Sequence, residues 1–203
     1  MNKEFFKYPD GTKGWVDGFY DEIFNGLEYD RHGARVEAGD IVIDFGAFIG
    51  MFTHFALGKG AKQVYSVESE QSHYDCLVEN TKDSPRVKTY KGRVPDDYSL
   101  ERIMDENNLY YVDFVKMDIE CSEYVVLINT DSSILNRVNK WAIEIHLEWS
   151  KNTRKWDGHG VDFDGHLSSK LIYIMDKFSR NGYKLALERT HEEHAVAMLY
   201  AWR

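Results

Sequence analysis

Between residues 40 and 146 the chain alternates short runs rich in β-branched and aromatic residues with segments of helical period. This alternation constrains the fold most, because strands separated by helices pack as parallel crossover units. The strand-like runs are DIVIDF (40–45), QVYSVES (63–69), RVKTYKG (86–92), VDFVKMD (112–118) and KWAIEIH (140–146). Helical patterning fills the intervals over 50–58, 71–83, 99–108 and 122–129. After the fifth strand Leu167, Leu171, Ile174, Met175 and Phe178 recur at helical spacing, and Gly182 follows as a left-handed cap. YKLALER (183–189) and AVAMLYAWR (195–203) then read as two strands on a short connection, which favours an antiparallel pair.

No Pro, Gly or Ser-rich linker divides the 203 residues, so a single domain, 1–203, is expected. Residues 1–35 would cover the carboxyl edge of the sheet, and 36–203 would form the core. YDEIFNGLEYD in the cover reads as helix or strand. No apolar run approaches the ~18 residues of a membrane span, and the amino terminus lacks the apolar core of a signal peptide. Two cysteines, Cys76 and Cys121, without metal-ligand spacing suit free thiols in a reducing cytoplasm. The net charge of −9 and the lack of a Lys/Arg cluster argue against a nucleic-acid partner, which needs concentrated positive charge. KNTRKW (151–156) is the nearest approach to one.

In IVIDFGAFIGMFTHFAL (41–57) an acid, Asp44, stands near the strand's end, and Gly46 and Gly50 follow before the helix. In open α/β sheets, ligands bind beyond the carboxyl ends of the strands, where glycine lets the backbone approach closely. GAFIG departs from the dinucleotide fingerprint G-x-G-x-x-G, and no Lys-Ser or Lys-Thr follows Gly50 to make a phosphate loop. Glu68 closes the second strand about twenty residues later, where a carboxylate can accept from both hydroxyls of a ribose. The pattern asks for a nucleoside and advertises no phosphate.

VIDFGAFIGMFT, VYSVES, SLERIMDENNLYYVDFVKMDIECSEYVVL and WAIEIH closely resemble the FkbM family of S-adenosylmethionine-dependent methyltransferases. The likeness runs from about residue 22 to 146 and includes NGYKL (181–185). It implies a Rossmann-like methyltransferase fold: a mostly parallel seven-stranded sheet, a C-terminal antiparallel hairpin and helices on both faces. It also implies O-methylation of a sugar or another small-molecule hydroxyl. Carried over by residue, it puts Asp44, Gly46, Ala47 and Gly50 around the methionine part of the cofactor and Glu68 on its ribose. Asp118 falls near the transferred methyl. The full cofactor-facing set expected is Asp44, Phe45, Gly46, Ala47, Gly50, Met51, Phe52, Glu68, Ser69, Arg93 and Asp118. Three positions depart from the family: Phe48 for its usual Asn, Ser69 for Pro and Cys121 for Gly.

A nearly neutral hydroxyl must lose its proton as it attacks, which calls for a base within hydrogen-bond reach. Asp118, Glu120, Glu144 and His146 stand at or near the ends of the fourth and fifth strands. His146 is the expected base, since imidazole titrates near neutrality and carboxylates can orient it. Asp118, Glu120 and His146 are also metal-ligand types, but the resemblance requires no metal and none is assigned. Acceptor selection is expected from the loop LEWSKNTRKWDGHGVDFDGH (147–166), whose Trp149, Trp156, Asp157, His159, Asp162 and Asp164 suit carbohydrate. His191 and His194 read as a solvated hairpin tip, and His54 as packing. The alternatives are a nucleic-acid or amine N-methyltransferase and a catalytically silent cofactor-binding scaffold.

Overall fold

The structure, a computed structural model, describes residues 3–146, 169–191 and 196–203. Seven strands form one sheet: β1 (Ile41–Phe45), β2 (Gln63–Glu68), β3 (Val87–Lys91), β4 (Val112–Met117), β5 (Val138–His146), β6 (Lys184–His191) and β7 (Val196–Trp202). Their order is β3-β2-β1-β4-β5-β7-β6. The first five pair in parallel, and β7 runs antiparallel between β5 and β6. The expected mostly parallel sheet with a C-terminal hairpin is what forms. The direction of winding reverses between β1 and β4, which opens a crevice at their carboxyl ends.

Helices cover both faces because the central strands are apolar on both sides. On one face Ile43, Val115 and Trp141 pack under α4 (Leu100–Glu106), α5 (Glu123–Asn129), α6 (Ser132–Leu135) and α7 (Ser169–Arg180). On the other, Val42, Phe114 and Tyr200 pack under α2 (Met51–Gly58) and the amino-terminal segment. That segment contains α1 (Lys13–Tyr20), which passes into one wide π turn at Asp21–Asn25. α3 (Gln71–Thr81) links β2 to β3. α7 ends where Gly182 takes φ +84°, and the Tyr183 N–H reaches back to the Phe178 carbonyl, so the expected glycine cap is present. No described helix is long and apolar enough to cross a membrane.

Candidate active site

The β1–α2 turn lies in the crevice. Gly46 adopts φ +75°, and a Cβ on it would stand 1.6 Å from the Asp118 carbonyl oxygen, so no other residue fits without moving β1 from β4. The Gly46 and Ala47 N–H groups both donate to the Val67 carbonyl, which ties the turn to the end of β2. Phe48, also left-handed at φ +51°, donates its N–H to Glu68 Oε2 at 2.8 Å. Glu70 N–H donates to Glu68 Oε1 at 2.6 Å. Two backbone amides therefore fix the nearly buried Glu68 carboxylate, and each oxygen keeps a further lone pair.

A cavity of about 610 Å³ extends from this turn, a size typical of small-molecule sites. Of the expected residues, Gly46, Ala47, Met51, Phe52, Glu68, Ser69, Arg93, Asp118 and Glu120 line it. Trp15, Phe19, Ile23 and Tyr29 of the amino-terminal segment also line it. The rings of Phe19 and His73 pack edge-on against Phe48, at 5.3 and 4.5 Å between centroids.

Five expected residues do not line the cavity. Side chains alternate along a strand, so Asp44 shares the face of Val42 and points beneath α2 instead of into the crevice. It is wholly buried, accepts from Thr53 Oγ1 at 2.7 Å and lies 3.5 Å from Lys116 Nζ. Burial pushes its pKa up and the Lys116 charge opposes that. Phe45 is core, reaching the site only through its carbonyl, which accepts the Asp118 N–H. Gly50 starts α2 at φ +90°, and a Cβ there would meet Leu77 at 2.9 Å, so its tight fit is to α3 and not to a ligand. Glu144 and His146 stand behind the wall, in contact with its acids.

Lys116, one of the residues sequence reasoning missed, lines the cavity at the end of β4. Its Nζ donates to the Gly46 carbonyl at 2.7 Å and lies 3.6 Å from Asp118. Burial works against its charge, but Asp118, Asp44 and Glu144 outweigh burial and hold its pKa above the usual value. The available signal was a lysine inside an otherwise apolar strand, which must find partners when buried. Tyr29, equally missed, donates to Glu144 Oε2 and lies 3.4 Å from Asp118 Oδ2, with its ring facing Lys116 Nζ at 5.3 Å. No pattern around residue 29 signals this contact, which depends on how the cover folds back.

His146 meets acids on every side. Its Nδ1 is 3.1 Å from Glu123 Oε1, and its Nε2 is 3.5 Å from Glu120, 3.9 Å from Glu144 and 4.0 Å from Asp118. Glu123 is fully buried; its Oε1 also accepts the Ile119 N–H, and its Oε2 has no hydrogen-bond partner among the described residues. Burial lowers the His146 pKa, but the Glu123 hydrogen bond and the charges of Glu123, Asp118 and Glu144 outweigh it and raise the pKa to about 10. With only these groups around it, the ring is an imidazolium at neutral pH and has no lone pair for the expected role of base. Burial, then the Asp118 charge, pushes Glu144 up to about 8. The turn carrying Glu120 is left-handed at two consecutive non-glycine residues, Glu120 at φ +52° and Cys121 at φ +74°. Burial, then the charges of Glu123 and Glu120, raises the Cys121 thiol to about 12, so it stays protonated. Trp149, Trp156, Asp157, His159, Asp162, Asp164 and His194 lie outside the described residues.

The model of the FtsJ-like methyltransferase family matches residues 27–186, most of the chain and all of the crevice's floor. The chain belongs to that family. It is an S-adenosylmethionine-dependent methyltransferase, and the glycine turn and anchored Glu68 suit that cofactor's backbone and ribose. The search of curated proteins finds no match. Among solved structures, the FtsJ-like chain resembles a precorrin-6y C5,15-methyltransferase from Geobacter metallireducens (TM-score 0.56, 12% identity, covering 100% of this chain and 97% of that one). A putative RNA methyltransferase from Pyrococcus horikoshii is as similar (TM-score 0.56, 18% identity, covering 98% and 94%). Aeropyrum pernix fibrillarin, in complex with natively bound S-adenosyl-L-methionine, is also similar (TM-score 0.54, 15% identity, covering 86% and 71%). At these identities the likeness is one of fold.

Proposed function

We propose that this FtsJ-like enzyme, a single domain of the FkbM type, O-methylates a hydroxyl on a sugar or other small molecule. The observation that carries the reading is one cavity lined at one end by Glu68 and at the other by Asp118 and Glu120. Bound there, S-adenosylmethionine supplies an electrophilic methyl on a positively charged sulfur. Glu68 would accept from the ribose hydroxyls with the lone pairs its amide partners leave free. Gly46 and Ala47 would let the amino-acid end lie against bare backbone. Asp118, which lines the cavity and is linked to Glu144 through Tyr29, would orient the acceptor hydroxyl and take its proton. Holding acceptor and donor in line and away from water is the larger contribution, since orientation alone is worth ~7–11 kcal/mol in well-placed systems.

An RNA acceptor is the competing reading, suited to some methyltransferases of this fold. The net charge of −9 disfavours it, because phosphate contacts dominate nucleic-acid affinity. Two measurements test the proposal. S-adenosylmethionine or S-adenosylhomocysteine should raise the melting temperature while NADH leaves it unchanged. A labelled methyl donor should then label glycan or small-hydroxyl acceptors; label transferred only to RNA would overturn the acceptor class.

A further inference from the structure

We propose that Asp118, Glu120 and His146 form a site for one divalent first-row cation of the Mn²⁺ type at the acceptor end of the cavity. This deepens the methyl-transfer reading at the same site and rests on it for the cation's purpose, though not for its binding. One ligand atom from each residue lies within 4.8 Å of the other two. Ligands held ~2.1 Å from a six-coordinate cation stand about 3 to 4.2 Å apart. The measured 3.5 Å and 4.0 Å from His146 Nε2 to Glu120 and Asp118 therefore need little adjustment.

The imidazole is held as metal-binding histidines are held. Its Nδ1 faces Glu123, which leaves Nε2 turned toward the two other ligands; the cation would take the place of the Nε2 proton, which leaves to solvent, while the Glu123 contact fixes ring orientation. Glu123 is fully buried and aimed at the ring, with its second oxygen unpartnered among the described residues. Asp118, Glu120, Glu123 and Glu144 thus surround His146, and the one nearby ammonium among the described residues, Lys116, is shared between Asp118, Asp44 and the Gly46 carbonyl. A cation would compensate this excess of negative charge. Two carboxylates and one imidazole, with no thiolate, favour manganese or iron over the thiolate-preferring metals.

Asp118 and Glu120 line the cavity, so open coordination positions would face the acceptor. A hydroxyl bound there would become more acidic and would release its proton to water in the open cavity. Titrating the full chain with Mn²⁺ alone, read by the electron paramagnetic resonance of the free ion, tests the site. One saturable Mn²⁺ per chain is expected, weakened at least ~10-fold by Asp118→Asn, His146→Gln and Glu123→Gln. Should those changes unfold the chain, as circular dichroism would reveal, the exposed Glu120→Gln carries the test with the same expected loss. No saturable binding, or binding that Glu120→Gln leaves intact, overturns the site. Calorimetry with S-adenosylmethionine on the same sample separates the two ideas: cofactor heat without Mn²⁺ binding removes only the cation, and Mn²⁺ binding without cofactor heat removes only the methyl-transfer reading.

Discussion

The two ends of the cavity are built by different means. At the β1–β2 end, backbone does the holding: Glu68 is fixed by the Phe48 and Glu70 amides, and the glycine turn is tied to Val67. At the β4–β5 end, side chains hold one another: Tyr29 on Glu144, Lys116 near Asp118 and Asp44, and Glu123 on His146. Backbone partners are nearly sequence-independent and leave the ligand-facing lone pairs free. Side-chain partners are coupled, so changing one shifts the charge state of the others. The first arrangement suits a cofactor that is always the same, and the second suits a centre where protons must move.

That contrast can be broken at either end. The largest effect should come from Glu68→Ala, which strips two amides of their acceptor and the ribose of its partner. Hydrogen bonds to a charged group are worth ~1.5–3 kcal/mol, so S-adenosylmethionine should bind about 10²-fold more weakly by calorimetry. Affinity within twofold of wild type would show that the ribose is held elsewhere. A smaller and separate effect is expected of Tyr29→Phe, which removes the donor to Glu144 while keeping the ring over Lys116. Turnover of an identified acceptor should fall about tenfold, equivalent to ~1.4 kcal/mol, with cofactor affinity little changed. If Tyr29→Phe weakens cofactor binding as much as Glu68→Ala does, the two ends are one coupled unit and the distinction fails.

The sequence exposes the backbone-built end better. Central parallel strands are apolar on both faces, and their acids and glycines stand out at fixed spacings, so β1, β2, the turn and Glu68 are legible from residues 40–68 alone. Asp44 is misplaced by the same reading because its position near a strand end does not say which face it takes; its shared pleat with Val42 does. α6, at four residues, is too short to show a period. At the other end, Asp118, Glu120, Glu144 and His146 are legible as residue types on adjacent strand ends, but the charge on His146 depends on Glu123, which only the folding of α5 brings to 3.1 Å. Tyr29 reaches the site across 115 residues of chain, a contact no local pattern encodes.

The smallest predicted effect concerns backbone strain, where the two ends again differ. The tightest left-handed position of the cofactor end is a glycine, Gly46 at φ +75°, whereas the matching conformation at the acceptor end falls to Cys121 at φ +74°. A side chain in that region costs roughly 1–2 kcal/mol, and glycine gives back roughly 0.5–1 kcal/mol through the entropy of the unfolded chain. Cys121→Gly should therefore stabilise the protein by about 0.5–1 kcal/mol, a rise of roughly 2–4 °C per kcal/mol in the melting temperature at this chain length. A fall instead would mean that packing of the half-buried Cys121 side chain outweighs the strain. The turn would then be held by its side chains, as the rest of the acceptor end is, with the left-handed backbone a consequence of that packing.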